Sequence, residues 1–398
     1  MVDLSSRSEI AAFLAMDVLR EAKLRSQRGE DICHMEVGQP GGAAPQLVRE
    51  RAKAVIDSDL IGYTEALGIA PLRERISRHY MAAYGAAVTP DQIIITTGSS
   101  AGFLLSFLAT LDVGDRVAIM QPGYPCYREI ISVVGLEAKP LTIGPETGWV
   151  PDYSAVQKAI VEDNVKALLF ASPANPTGAM IGNDEMQAII ELTRRHNVWL
   201  FSDEIYHGLT YGAPPVTAAC TSRANPGKPD TNWAANDHVI VLNSFSKYYS
   251  MTGWRIGWMV VPPALTRVME KLNQHLYISA PTLSQHAAIA AFDAVDELEE
   301  IKAHYKRNRD CLMTGLSEAG LGQFAPADGA FYIYTDVSQF TDDSLAFSGR
   351  LLDEYGIAAC PGLDFDPVHG HYMMRFSYAG SCDEVEEAVR RLKARPLT

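Results

Sequence analysis

Four residues in SFSKYYSMTGWRIGW, positions 244–258, could together hold a phosphate and present an amine beside it: Ser244, Ser246, Lys247 and Arg255, directly after the apolar run VIVLN. A guanidinium grips phosphate oxygens through a fixed fork of donors, and hydroxyls add to it. Lys247 would then lie beside whatever bears the phosphate. A second segment points the same way. TTGSSAGF, residues 96–103, places Gly98, Ser99, Ser100 and Ala101 where a helical pattern opens, so backbone N–H groups, hydroxyls and the positive end of a helix dipole converge. A serine in that position can equally be an ordinary N-cap. Asn175 lies between Pro173 and Pro176 after KALLFAS, and Asp203 and Tyr206 follow VWLF.

These residues fall together because of the elements that carry them. Strand candidates are IIITT (93–97), RVAIM (116–120), LEAKPLTI (136–143), KALLFAS (166–172), VWLFSDE (198–204), HVIVLNSF (238–245) and RIGWMVV (255–261). Between the fourth and fifth, NDEMQAIIELTRRHN sets Met186, Ile189, Ile190 and Thr193 at helical spacing behind an Asn/Asp start. Alternating strand and helix predict an α/β layer with a mostly parallel sheet, in which ligands gather outside the carboxyl ends of the strands. A helical stretch over 283–319 then leads to two hairpin-like strands, AFYIYTDV and HYMMRFSYA, and a polar terminal helix, which together predict a second, α+β domain. Residues 212–237, rich in Pro, Gly, Asn and Asp, read as a long surface loop.

Composition excludes several classes. The 398 residues, 47% of them hydrophobic, suffice for a large core and two or three domains. A net charge of -14 has the wrong sign for a nucleic-acid surface. No stretch approaches about eighteen uninterrupted apolar residues, and no apolar core follows a basic start at the N-terminus, so a cytoplasmic protein without a membrane anchor is expected. The six cysteines are dispersed without a C-x-x-C pair, which predicts reduced thiols. His369 and His371 have no further ligands close in sequence, so they read as a loop feature and no metal is expected. G-x-G-x-x-G, Walker A and G-x-S-x-G are absent.

Nine segments in order, VGQP (37–40), GYTEALGIAPLR (62–73), TTGSSAGF (96–103), PGYPCY (122–127), NPTG (175–178), SDEIY (202–206), SFSKYYSMTGWRIGW (244–258), GAFY (329–332) and MRFSYA (374–379), carry a resemblance. The chain resembles the class I/II aminotransferases of the aspartate aminotransferase superfamily, pyridoxal 5'-phosphate (PLP) enzymes of fold type I. That resemblance implies a large PLP-binding domain over 46–283, with a mostly parallel seven-stranded sheet between helices. A smaller α+β domain would comprise 1–45 and 284–398.

Roles follow from the same resemblance. Lys247 would hold PLP as a Schiff base and shuttle the proton between the substrate α-carbon and the cofactor. Asp203 would pair with the pyridine nitrogen and keep it protonated. Asn175 and Tyr206 would hydrogen-bond the ring's 3'-oxygen, with a cis peptide aiming Asn175 inward, although Asn-Pro also suits a plain turn. Tyr124 would stack on the ring, its alternative being core packing. Ser99, Ser100, Ala101, Ser244, Ser246 and Arg255 would form the phosphate cup, joined by Tyr63 from a neighbouring subunit in a homodimer with shared active sites. Arg375 would clamp the substrate α-carboxylate, with the Gly38 backbone opposite and Asn175 beside it.

The implied reaction is ping-pong transfer of an amino group from an L-amino acid to a 2-oxo acid. A PLP-dependent carbon–sulfur β-lyase would share every residue above. A non-catalytic aminotransferase-like binding module is a further alternative, against which the intact Lys247 and the lack of a helix-turn-helix extension ahead of residue 30 argue. One aspartate-using branch carries a lysine in a G-G-K-Q turn where this chain has Ser100, and another takes an arginine from the partner subunit. Here KLNQHLYISAPTLSQ supplies Leu276, Tyr277 and Ile278 and no arginine, so neutral substrates are expected. Two features depart from the family pattern: GQPGGAAP lacks the acidic-aromatic pair of many relatives, and the 212–237 loop is longer than is common.

Overall fold

The computed structural model describes residues 4–58, 61–219, 237–395 and 397. Within them lie strands β1 (Cys33–His34), β2 (Ile93–Thr96), β3 (Arg116–Gln121), β4 (Glu137–Thr142), β5 (Ala167–Ala171) and β6 (Trp199–Asp203). They continue with β7 (Val239–Ser244), β8 (Gly257–Val260), β9 (Tyr332–Asp336), β10 (Ile357–Ala358), β11 (Cys360–Pro361) and β12 (Met373–Ser377). Seven form one sheet in the order β2-β8-β7-β6-β5-β3-β4, parallel except for β8, which runs against both neighbours. These are the seven strands expected from sequence, within two residues at each end.

The central strands β5 and β7 are buried at every position, the pattern of a sheet covered by helices on both faces. Pro140 sits in edge strand β4, where a missing N–H can be spared. One apolar core surrounds this sheet, with Ile95, Leu168, Phe201 and Leu242 at its centre; a second, around Leu312, Phe331, Ile333 and Phe376, packs on the antiparallel sheet β11-β12-β9.

Two expectations need correction. The helical stretch at 283–319 is two helices, Thr282–Ala291 and Val295–Glu318. The chain turns at Phe292 because that ring enters the first core against Phe245 and Tyr249, while the second helix, from Tyr305 onward, serves the other core. The two C-terminal strands are antiparallel neighbours but not a hairpin, since the helix Ser344–Tyr355 lies between β9 and β12. Of the expected 212–237 loop, residues 220–236 lie outside the described residues, Cys220 with them; the other five cysteines are unpaired. No described helix is long and apolar enough to cross a membrane.

Strand direction now explains the clustering. The carboxyl ends of β2, β3, β5, β6 and β7 share one edge with the amino end of the reversed strand β8, so Arg255, just ahead of β8, meets Ser246 and Lys247, just past β7.

Candidate active site

A cavity of about 250 Å³ opens at that edge. One end of it is lined by Ser99, Ser100, Ser246 and Arg255. Gly98, at φ +70°, starts the helix Gly98–Thr110 against the guanidinium: a Cβ there would meet Arg255 Nη2 at 2.5 Å. Glycine alone combines this close approach with the left-handed backbone. Arg255 itself adopts φ +52° and is tied by Nη1 to Thr252 O at 3.1 Å.

Lys247, Asp203, Asn175, Tyr206, Tyr124, Gly38 and Arg375 line the rest of the wall. Lys247 Nζ donates to Gly38 O at 2.5 Å. Burial, reinforced by the charge of Arg375 and partly opposed by Asp203, pushes the amine down to about 8. Asp203 is buried, accepting from the Tyr127 hydroxyl at Oδ2 and from the Ile205 N–H at 3.1 Å. Desolvation pushes its carboxyl up to about 6, against the pull of those two donors.

Arg375 is 2% exposed and tightly framed. Nη1 donates to Asn175 Oδ1 at 3.0 Å, while Nη2 donates to Glu36 O at 2.6 Å and Cys360 Sγ at 3.2 Å. The rings of Tyr332 and Phe365 hold the guanidinium at 4.3 and 4.7 Å. Its Nε has no hydrogen-bond partner among the described residues. The Asn175–Pro176 peptide is cis. Tyr206 and Tyr332 share a hydroxyl–hydroxyl bond of 2.7 Å, and Tyr124 packs edge-on to Tyr127 and Phe13.

Three residues singled out in the sequence do not line the cavity. Ala101 is buried one turn into its helix. Ser244 lies behind Ser246, donating to Ser246 Oγ at 2.9 Å and to Ile256 O at 3.2 Å. Tyr63 is 83% exposed, outside the cavity of its own chain.

Other lining residues had no assigned role. Tyr127 and Tyr332 stand inside PGYPCY and GAFY, so their motifs were visible although their partners were not. Phe13, Ala15 and Met16 arrive from the N-cap and first turn of the helix Leu14–Gln27, a turn fixed by Asp364 accepting the Leu14 and Ala15 N–H groups, each at 3.0 Å. No local sequence signal marks them.

A family model for aminotransferase class I and II matches residues 30–392. A valine–pyruvate aminotransferase of Mycobacterium tuberculosis is 43% identical over 97% of this chain and 96% of its own length. An aspartate/prephenate aminotransferase of Thermus thermophilus is 33% identical over 93% and 92%. Among solved structures, an aminotransferase from Mycobacterium tuberculosis, 42% identical, superposes with a TM-score of 0.93 over 99% of both chains. Aspartate aminotransferase from Thermus thermophilus with maleate, 30% identical, gives 0.90 over 99% of this chain and 100% of that one. The strand-edge cavity with its lysine, carboxylate and two arginines thus belongs to an enzyme of the class I and II aminotransferases, a family with the aspartate aminotransferase fold that uses pyridoxal 5'-phosphate.

Proposed function

We propose that the cavity binds PLP and that Lys247 is both its attachment point and the proton relay in ping-pong transfer from a neutral L-amino acid to a 2-oxo acid. The observation that carries this reading is the placement of the Lys247 amine in the cavity wall, between Ser246 with Arg255 on one side and Arg375 on the other, where burial lowers its pKa. The residues present fit the cofactor. Gly98 leaves room for Arg255 against the helix start, Asp203 offers a buried carboxylate to a ring nitrogen, and Asn175 keeps its amide NH2 for a ring oxygen because its Oδ1 is committed to Arg375. Bound there, PLP supplies a carbonyl that exchanges amino groups and a ring that accepts the electron pair left at the substrate α-carbon.

The remaining work falls to the chain. Arg375 Nε offers an unpartnered donor to the substrate carboxylate, and its framing rings fix where that carboxylate lies. Lys247 takes the proton from the α-carbon and returns it, a role that suits an amine with a lowered pKa. Valine as donor and pyruvate as acceptor follow the name of the 43% identical relative.

The phosphate is held by Ser99, Ser100, Ser246 and Arg255, with Ser244 supporting Ser246. Tyr63 reaches the phosphate of a second copy; its neighbours Gly62 and Thr64 bond to Thr282 and Ser279, near exposed Leu276 and Ile278, which supports a dimer contact there. Residues 46–283 form the cofactor domain and 1–45 with 284–398 the small one; two separate cores support two domains, although Ala287, Phe292 and Leu298 pack in the first core, beyond that boundary. The test is alanine formation from pyruvate with valine as donor. Ammonia release from cystathionine without amino transfer would overturn it.

A further inference from the structure

Cys360, Arg375 and Tyr334 stand directly opposite one another across β11, β12 and β9. Arg375 faces the active-site cavity, whereas Tyr334 lines a second one of about 470 Å³. The second cavity has aromatic walls from Trp149 and Phe324 and carboxylates from Glu146, Asp336 and Asp366. Among the described residues neither lysine nor arginine lines it, and the one basic side chain among them, His369, is exposed.

One buried group there lacks a partner, and a second is bonded on one side only. Tyr334 is 1% exposed, yet its hydroxyl has no hydrogen-bond partner among the described residues. Leaving a buried hydroxyl unpaired is costly, so an acceptor entering the cavity would relieve that cost. Asp366 is 2% exposed, and Gln121 Nε2, Val368 N and His369 N, at 2.9, 2.8 and 3.0 Å, all donate to Oδ1, with no donor to Oδ2 among the described residues. Trp149, held at φ +63°, sets its indole edge-to-face with Tyr334 at 6.0 Å. Acidic groups without a protein cation, ringed by aromatic faces, match an organic ammonium ion: the carboxylates neutralise it and the ring faces attract it.

We propose that this cavity is a second ligand site, separate from the site of amino transfer, for a small organic ammonium ion that presents an oxygen acceptor to Tyr334. Its occupancy is felt at Arg375 through Phe365, whose ring packs edge-on to Tyr334 at 6.1 Å and against the Arg375 guanidinium at 4.7 Å. The surplus of carboxylates bars ligands carrying a free carboxylate of their own.

Choline is the probe, because its quaternary nitrogen cannot form an imine with the cofactor; 3,3-dimethyl-1-butanol is its uncharged isostere. Calorimetric titration of the holoenzyme should show saturable choline binding, about tenfold tighter than the alcohol. Glu146→Gln, at an exposed position, should weaken it severalfold without disturbing the fold, and Asp366→Asn should weaken it about tenfold. Choline should also change the KM for the amino donor and leave kcat in place. Absent binding, equal binding of the alcohol, indifference to both variants, or strict competition, with the apparent KM for the amino donor rising without limit as choline is raised, would overturn the site. An unmoved KM at saturating choline would overturn the coupling to Arg375.

Discussion

Tyr127 donates its hydroxyl to Oδ2 of Asp203, with its ring packed edge-on to Phe103 at 5.1 Å. Burial pushes Asp203 up and this donor holds it down, at about 6 on balance. Tyr127→Phe keeps the packing and removes the donor, so the carboxylate becomes harder to ionise. The expected result is a fall in kcat of about tenfold, with the acid limb of the kcat–pH profile displaced upward. A slower enzyme with an unmoved limb would show that Tyr127 acts otherwise than through Asp203.

Asp203 and Lys247 were legible in the sequence because one ends an apolar strand and the other follows one by a few residues, so strand recognition placed both on one edge. Arg255 was legible only through its spacing from Lys247, and its arrival there depends on the reversed direction of β8. Tyr127 was not, because its partner comes from β6, 76 residues away. Phe13 and Met16 were hidden more deeply: their helix is held by Asp364, at a separation of 350 residues for Leu14. The break at Phe292 also escaped, since helical spacing continues through it and only the change of core bends the chain.

Lys247→Ala should abolish the visible absorbance of the lysine-bound cofactor and lower turnover by at least about a thousandfold, with no other amine among the described residues lining the cavity to relay the proton. Lys247→Arg preserves the charge but cannot give up a proton near neutral pH, so it should be equally inactive. Turnover retained by either variant removes Lys247 from the chemistry.

Glu204 makes a prediction about stability. It is fully buried, accepts from Ser202 Oγ at 3.0 Å and Ala218 N at 2.8 Å, and desolvation pushes it up to about 8. His207 Nδ1 is 3.4 Å away, but burial drives that imidazole down to about 3, so the contact is between neutral groups and not an ion pair. The folded state therefore binds a proton that the unfolded chain releases near pH ~4.3. Stability from this group is complete below that value and is lost as pH rises through about 8. Melting temperature should accordingly fall between about pH 5 and 8, and Glu204→Gln, which needs no proton, should flatten that slope and melt higher at the alkaline end. Parallel slopes for the two proteins would place the pH dependence elsewhere.

Substrate choice follows from where the cavity keeps its charge. Its lining cations among the described residues are Lys247, Arg255 and Arg375, which the proposed function would commit respectively to cofactor attachment, phosphate and α-carboxylate. Ser100 stands where one aspartate-using branch has a lysine, and Phe13, Met16 and Val37 add apolar surface while Glu36 adds a buried carboxyl group. A second substrate carboxylate would thus enter desolvated and without a cation, whereas an isopropyl group loses nothing on the same wall. In single-turnover half-reactions at equal concentration, valine should convert the cofactor at least about a hundredfold faster than aspartate, equivalent to about 2.7 kcal/mol. Leucine and methionine should lie nearer valine, because they differ from it only in apolar bulk. If aspartate is the fastest donor, a cation from outside this lining, on a second copy or a moving segment, must reach the bound side chain.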